Sequence, residues 1–361
     1  MQYTTEPYHP HQFIDAEGAL TMSLPQALQE PELLQSLYRH MVLTRTFDQR
    51  VVALQRTGQM GTYASCLGQE AIGTGIGYAL ADTDVFVPYY RDQATQLARG
   101  VSLQKQMQYW GGDEWGNYFE GIAHEDFPNC VPIATQVTHA AGIASAIKIR
   151  NQKRCALVTC GEGATSRGDF YESINLAGVW QLPVVVVVNN NQWAISVSRQ
   201  IQTGANTIAQ KAVAAGIEGF QVDGNDVCAV FDAVQYATKK AHQGKGATLI
   251  EAVSYRLGDH TTADDATRYR SHEEVNEAWK KEPVKRLQSY LHQIDAWDES
   301  REQALISESK KSVEEAVQAY LKLPKQPVTD LFDYLYEELP PALLTQKNKA
   351  LAKQTTAQRG E

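Results

Sequence analysis

The sequence has no long hydrophobic run, and its longest unbroken aliphatic stretch is the five valines from Val184 to Val188. A membrane-spanning helix needs about 20 apolar residues, so no membrane partner is expected. Basic residues are also few, because 33 Lys and Arg face 42 Asp and Glu, and the formal net charge is −9. This balance argues against nucleic acid or an anionic membrane as the main partner. An anionic cofactor would need local positive charge or a metal ion.

Cysteine is scarce, and the five present form neither a paired framework nor a metal-ligand spacing: Cys66, Cys130, Cys155, Cys160 and Cys228. Cys155 and Cys160 flank a predicted buried strand, which indicates reduced thiols. The N-terminal segment MQYTTEPYHPHQFIDAEG has no basic region followed by an apolar core, so no secretory signal is predicted. These features together predict a cytoplasmic protein.

What the sequence does contain is an alternation of short apolar strands with helical segments. Strands are predicted at 85–87, 155–159, 184–188 and 248–253, and helices at 31–57, 67–80, 136–149, 208–216 and 227–243. Five consecutive β-branched residues without polar alternation are typical of a strand buried on both faces. The pattern therefore predicts an α/β fold, with helices on both faces of a mostly parallel sheet.

The composition changes near both ends of the chain. Residues 1–30 predict an irregular N-terminal arm, either disordered or laid across a partner. Residues 31–271 predict the α/β domain. Residues 272–361 predict a C-terminal helical extension that ends in a solvated tail at 347–361.

The central stretch, from Arg154 to Ser196, predicts a candidate site. Glu162 follows the strand that begins at Cys155, and Asn191 follows the valine strand. Parallel strands joined by a crossover helix have their carboxyl ends at the same edge of the sheet, so the two side chains should meet there. The helix predicted to begin after Gly163, with Phe170, Ile174, Ala177, Gly178 and Trp180 on one face, would favour an anion such as phosphate. Carboxylate, amide and phosphate oxygens are ligands that suit Mg²⁺.

Each half of this pattern also has an ordinary structural explanation. Gly161-Glu162-Gly163 alone is a common turn, and asparagines commonly end a strand. Their joint occurrence, with a helix of suitable length between them, favours a shared site over two unrelated turns.

The stretch resembles the thiamine diphosphate motif, which opens with Gly-Asp-Gly or Gly-Glu-Gly and closes with Asn-Asn. More narrowly, it resembles the alpha subunit of the decarboxylating component of 2-oxo acid dehydrogenase complexes, of the pyruvate and branched-chain types. The resemblance extends from about Leu37 to the C-terminal helices. Further matching segments are LGQEAIGTGIGYAL at 67–80, PYYRD at 88–92, VDGND at 222–226 and YRLGDHTTADDATRYR at 255–270.

The resemblance implies the thiamine diphosphate-binding fold and a set of site residues. Glu162, Asn191 and the main-chain carbonyl of Trp193 would hold the metal, and His260 would be catalytic. The residues implied to contact the cofactor are Tyr90, Arg91, Ile133, Gly161, Glu162, Gly163, Ala164, Asn191, Ala194, Ile195 and His260.

The resemblance also implies an activity and its partners. The activity is oxidative decarboxylation of a small 2-oxo acid, with transfer of the acyl group to the lipoyl group of an acyltransferase component. A beta subunit would supply the glutamate that activates the cofactor. Because 361 residues show no second pyrimidine-type domain, an α₂β₂ heterotetramer is expected.

Three alternatives stay open. A self-sufficient thiamine enzyme would need a chain about twice as long. A non-catalytic cofactor-binding paralogue is opposed by the presence of Glu162, Asn191, Arg91 and His260. The substrate is the third point: Gly-Glu-Gly and NQWAIS resemble branched-chain members, whereas VALQRTGQMG at 52–61, QKAVAAGI at 210–217 and DDATRYR resemble bacterial pyruvate members. Pyruvate is favoured.

Overall fold

A computed structural model describes the backbone of residues 10–358 and the side chains of residues 10–354. The first nine residues of the predicted arm lie outside the described residues. The strands are β1 (Val85–Val87), β2 (Ala156–Gly161), β3 (Val184–Asn190), β4 (Trp193–Ala194), β5 (Val197–Ser198), β6 (Glu218–Asp223) and β7 (Thr248–Val253). Five of them form a parallel sheet in the order β1-β2-β3-β7-β6, and β4 and β5 form a separate antiparallel pair.

Helices account for most of the remaining chain. The α-helices are α1 (Pro31–Arg56), α2 (Glu70–Ala79), α3 (Gln93–Ala98), α4 (Leu103–Trp110), α5 (Thr135–Ile149), α6 (Gly168–Val179), α7 (Arg199–Gln202), α8 (Lys211–Ala214), α9 (Val227–His242), α10 (His272–Trp279), α11 (Pro283–Gln293), α12 (Glu299–Leu321), α13 (Asp330–Asp333) and α14 (Pro341–Gln358). Short 3₁₀ helices lie at Gln26–Leu28, Glu114–Asn117, Gly121–Ala123, Glu162–Ser166 and Ala266–Arg268. None of the helices described combines the length and the apolarity needed to cross a bilayer.

The valine strand explains why the sheet is covered on both faces. Side chains alternate along a strand, and Val184, Val186 and Val188 pack into a core that includes residues of α5 and α6. Val185 and Val187 point the other way, into a core that includes residues of α2 and α9. Burying one such side chain contributes about 1.5–3 kcal/mol. The predicted α/β fold with a parallel sheet is confirmed.

Residues 10–30 of the predicted arm are irregular apart from the 3₁₀ turn Gln26–Leu28, but they pack on other segments of this chain, so the expectation of disorder is not met there. Phe13 and Ile14 are buried in a core shared with α1 and α11, and His11 forms a parallel bridge with Val222 of β6. The buried Asp226 carboxylate accepts hydrogen bonds from the N–H groups of Phe13 and Ile14, at 2.7 and 2.9 Å. The apolar residues of the arm are isolated and follow no period, so no local pattern predicts this packing.

Four smaller predictions also need correction. The helix predicted at 208–216 is the single turn Lys211–Ala214, and the helix expected directly after Gly163 begins at Gly168, behind the 3₁₀ turn Glu162–Ser166. Trp180, predicted on the buried face of that helix, is 51% exposed because it lies one residue beyond the end of α6. Part of the segment predicted as a tail, 347–358, is helical and belongs to α14.

The glycines of α2 let other helices of this chain approach closely. A Cβ on Gly75 would lie 2.7 Å from a methyl carbon of Val230 in α9. A Cβ on Gly73 would lie 2.7 Å from the Cβ of Ala94, and one on Gly77 would lie closer still to the Cβ of Ala98. These glycines therefore serve packing within the chain.

The chain divides into two compact units between Val317 and Gln318. The first contains the parallel sheet and the second contains α13 and α14. The domain boundaries at residues 30 and 271 stay predictions.

Candidate active site

One cavity of about 230 Å³ lies at the carboxyl edge of β2 and β3. It brings together every residue that the sequence predicted for the site: Tyr90, Arg91, Ile133, Gly161, Glu162, Gly163, Ala164, Asn191, Trp193, Ala194, Ile195 and His260. Tyr89, Cys130, Val131, Ala134 and Gln136 also line it. The cofactor and metal roles of these residues stay predictions.

The register of the sheet places Glu162 beside Asn191. Gly161 at the end of β2 pairs with Asn189 of β3, so the next residues of both strands turn into the same crevice. The Asn191 N–H donates to Glu162 Oε2 at 3.3 Å. The Asn191 side-chain oxygen in turn accepts from the Trp193 N–H at 3.2 Å, which fixes the turn that carries the Trp193 carbonyl.

Glu162 is a buried carboxylate whose described partners are weak. Its partners on other residues donate over long distances, Asn191 N–H at 3.3 Å and Gln202 Nε2 at 3.4 Å, and no ion pair links it to a side chain of the described residues. Burial raises the pKa of this carboxyl. A buried charge without a partner is unfavourable. A cation bound beside Glu162 would therefore be stabilised by this carboxylate.

The donor set fits a hard divalent ion. It offers a carboxylate oxygen of Glu162, the amide oxygen of Asn191 and the carbonyl oxygen of Trp193, and oxygen ligands are what Mg²⁺ prefers. The Trp193 carbonyl already accepts from Arg256 Nη1 at 3.1 Å. A carbonyl oxygen has two lone pairs, so this hydrogen bond leaves one for a metal.

Two buried arginines make the cavity electropositive. Arg91 donates to the carbonyls of Ser65 and His260, both at 2.6 Å. Arg256 donates to the Trp193 carbonyl and, at 3.0 Å, to the Ile195 carbonyl. Neither guanidinium has a carboxylate within salt-bridge distance among the described residues. Their uncompensated charge favours an anion such as diphosphate.

His260 lies between these arginines and is neutral. Its Nδ1 atom is 3.0 Å from Arg91 Nη2 and 3.4 Å from Arg256 Nη1. Burial, followed by the charges of Arg91 and Arg256, lowers the pKa of His260 to about 3. Nδ1 therefore accepts from the arginines, and the ring presents Nε2–H as a donor.

Hydrogen bonds within residues 255–270 hold the loop that carries His260. Arg270 donates to the carbonyls of Arg256, Leu257 and Gly258. Asp264 accepts from the His260 N–H at 2.8 Å.

Gln69 is a site residue that the sequence did not reveal. Its side-chain oxygen accepts from Asn191 Nδ2 at 3.4 Å and from the Tyr89 hydroxyl at 3.2 Å. Its Nε2 atom is buried with no hydrogen-bond partner. Gln69 stands directly before α2, in the segment LGQE, but its contact with Asn191 spans 122 positions. No local pattern indicates such a contact.

Packing around the Glu162 turn explains the second glycine of Gly-Glu-Gly. A Cβ on Gly163 would lie 2.6 Å from the Cβ of Ala194, so only glycine lets β4 approach. Beneath the same turn, the buried Lys211 donates to the Thr165 carbonyl and hydroxyl, at 2.8 and 2.9 Å. These contacts hold the turn that positions Glu162.

Fold and site together define an α/β protein whose cavity, at the carboxyl edge of a parallel sheet, brings Arg91, Glu162, Asn191 and His260 together. The family model described as "Dehydrogenase E1 component" matches residues 38–329. This chain belongs to that family, which implies thiamine diphosphate as its cofactor. The predicted resemblance and the prediction of a dehydrogenase are both confirmed.

Curated relatives cover most of the chain. The pyruvate dehydrogenase E1 component subunit alpha of Bacillus cereus is 38% identical over 330 residues, which are 91% of this chain and 89% of the relative. The protein of the same name from Staphylococcus aureus strain Mu50 is 40% identical over 316 residues, 87% and 85% of the two chains. That from Bacillus subtilis strain 168 is 41% identical over 308 residues, 85% and 83%.

Proposed function

We propose that this chain is the alpha subunit of a pyruvate dehydrogenase E1 component, which decarboxylates pyruvate oxidatively and transfers the acetyl group to a lipoyl group. The observation that carries this proposal is the single cavity in which Glu162, Asn191, Arg91 and His260 meet. The names of the relatives, at 38–41% identity over most of both chains, support pyruvate as the substrate.

Within this function the side chains divide into three tasks. Glu162, Asn191 and the Trp193 carbonyl hold Mg²⁺, while Tyr90, Arg91 and the turn Gly161–Ala164 bind the diphosphate. Ile133, Ala194 and Ile195 pack against the rings of the cofactor, which when bound supplies an electron sink for decarboxylation. The neutral His260 donates a hydrogen bond from Nε2 to the substrate, and its imidazole takes up a proton when negative charge develops nearby.

The proposed assembly contains further subunits. The relatives are named as alpha subunits, which supports a beta subunit in an α₂β₂ heterotetramer. A lipoyl-bearing acyltransferase component accepts the acyl group, and the whole complex works in the cytoplasm.

The test compares substrates after reconstitution with a beta subunit from the same organism, thiamine diphosphate and Mg²⁺. Turnover of pyruvate and of 3-methyl-2-oxobutanoate is measured. A pocket discriminates each added methylene by about 1–3 kcal/mol, so kcat/KM for pyruvate is expected to be higher by at least about tenfold. The opposite preference would identify a branched-chain enzyme. No turnover of either substrate, with cofactor bound, would identify a non-catalytic paralogue.

A further inference from the structure

A second cluster of metal-ligating side chains lies at the opposite edge of the sheet. Asp84 immediately precedes β1 and Cys155 immediately precedes β2. Since Val85 pairs with Ala156 in parallel register, the amino ends of these strands lie side by side. His242, the last residue of α9, completes the cluster. It is separated from the cofactor cavity by the length of the strands.

The three side chains have the geometry of a nearly formed site. A carboxylate oxygen of Asp84, the sulfur of Cys155 and an imidazole nitrogen of His242 all lie within 4.8 Å of one another. His242 Nε2 is 2.7 Å from Asp84 Oδ1. The side chains of Asp84 and Cys155 are buried, whereas that of His242 is 27% exposed. The histidine side therefore gives an ion a route from solvent.

The charges around the cluster favour a divalent cation. Arg99, whose Nη2 donates to the Asp84 carbonyl at 2.9 Å, is paired with Asp126 at 2.7 Å, and Arg154 is paired with Glu125 at 2.5 Å. A carboxylate, a thiolate and a neutral imidazole carry two negative charges, so one divalent ion makes the buried site neutral. Burial and the Asp84 charge raise the pKa of the Cys155 thiol, and a bound cation reverses this by stabilising the thiolate.

We propose that Asp84, Cys155 and His242 form a second metal site, which binds a zinc-like divalent ion through three protein ligands and leaves one position to water. Sulfur and imidazole ligands select Zn²⁺ over Mg²⁺. Binding releases the thiol proton to solvent. The ion then ties together the start of β1, the start of β2 and the end of α9.

The competing explanation is a purely structural hydrogen-bond cluster. Asp84 also accepts from the N–H groups of Cys155, at 2.9 Å, and Ala81, at 3.1 Å. In that case His242 and Asp84 stay hydrogen-bonded to each other, and no metal ion binds to the cluster.

Cobalt(II) distinguishes the metal site from the hydrogen-bond cluster, because thiolate ligation to Co²⁺ gives an intense near-ultraviolet charge-transfer band. The complete complex, stripped of metals and then saturated with thiamine diphosphate and Mg²⁺ to fill the cofactor site, is titrated with Co²⁺ and then with Zn²⁺. We expect the band to appear in the wild type and to disappear when Zn²⁺ is added. Cys155→Ser should abolish it, and His242→Gln should weaken the apparent affinity by more than about tenfold.

Matched variants control for each ligand. Cys228→Ser removes another buried thiol, within α9, and His292→Gln removes another histidine from the last turn of a helix, α11. Both should keep the band. Circular dichroism and the unfolding midpoint show whether each variant is folded, and His242→Gln changes a partly exposed side chain, so it tests the site even if Cys155→Ser does not fold. Absence of the band in the wild type, or its persistence in His242→Gln at unchanged affinity, would overturn the proposal.

Discussion

Glu162 combines deep burial with weak hydrogen bonding, and its burial raises the pKa of the carboxyl. Glu162→Gln keeps the shape of the side chain but removes the charge. Without metal and cofactor, we expect the variant to be at least as stable as the wild type, because a buried uncompensated charge is unfavourable. Binding of Mg²⁺ with thiamine diphosphate should be lost in a calorimetric titration.

Glu172→Ala, an exposed glutamate on α6, is the control and should bind normally. Undiminished binding by Glu162→Gln would remove the metal assignment. A large loss of stability without ligands would instead point to a structural role for the carboxylate.

Gln69 touches a predicted metal ligand without lining the cavity itself, since its oxygen accepts from Asn191 Nδ2. Gln69→Leu removes the polar atoms that orient the Asn191 amide. Residues that orient a ligand typically change metal affinity about 10–100-fold, so the variant should need about that much more Mg²⁺ for half-maximal cofactor binding. Saturating Mg²⁺ should restore kcat. If the Mg²⁺ requirement is unchanged, Gln69 has only a packing role.

His260 makes stability depend on pH. Its pKa is lowered from 6.5 to about 3 in the folded chain. Between these pH values the unfolded chain binds a proton that the folded chain does not. The contribution of His260 to the free energy of unfolding is therefore complete above pH 6.5 and is lost as the pH falls towards 3. The unfolding midpoint of His260→Gln should therefore fall less than that of the wild type between about pH 7 and about pH 5. Parallel profiles would contradict the lowered pKa.

At the scale of elements, helices α2 and α5 show opposite requirements for glycine. A Cβ on Gly75 would meet Val230 at 2.7 Å, whereas a Cβ on Gly142 would meet nothing within 4 Å. Overpacking costs about 1–3 kcal/mol, so Gly75→Ala should lower the unfolding midpoint. Gly142→Ala should raise it slightly, since alanine favours a helix by up to about 1 kcal/mol.

Thermal unfolding of the isolated chain tests this pair, because a partner that packs on α5 would affect Gly142. Equal effects of both substitutions would contradict the close packing of α9 against Gly75.

At the scale of the whole molecule, the cavity has an uncovered apolar rim. Val131, Ile133 and Ile195 line it, yet they are 53%, 44% and 54% exposed. Excluding water from the reacting atoms needs a cover on this side, which agrees with the proposal that a beta subunit completes the site. The isolated chain is therefore expected to show no oxidative decarboxylation, and addition of the beta subunit to restore it.

Size-exclusion chromatography should show the heterotetramer in the active fraction. Turnover by the isolated chain at the rate of the reconstituted complex would contradict the proposal that a beta subunit completes the site.

The sequence determined the part of the fold in which structure follows from local patterns. The valine run, the helical period and the turns between them all lie within about thirty residues of Glu162. The topology of parallel strands then places Glu162 beside Asn191. Resemblance supplied Arg91, Ile133 and His260. All these residues line one cavity, although their roles stay predictions.

Tertiary structure alone decided which distant groups meet and what charge they carry. The contact of Gln69 with Asn191 spans 122 positions, and that of His242 with Asp84 spans 158. The neutral state of His260 depends on its burial and on two arginines that the fold brings against it, and Asp226 holds the backbone of Phe13 and Ile14. Burial and electrostatic contact depend on distance in space, which local patterns in the chain do not encode.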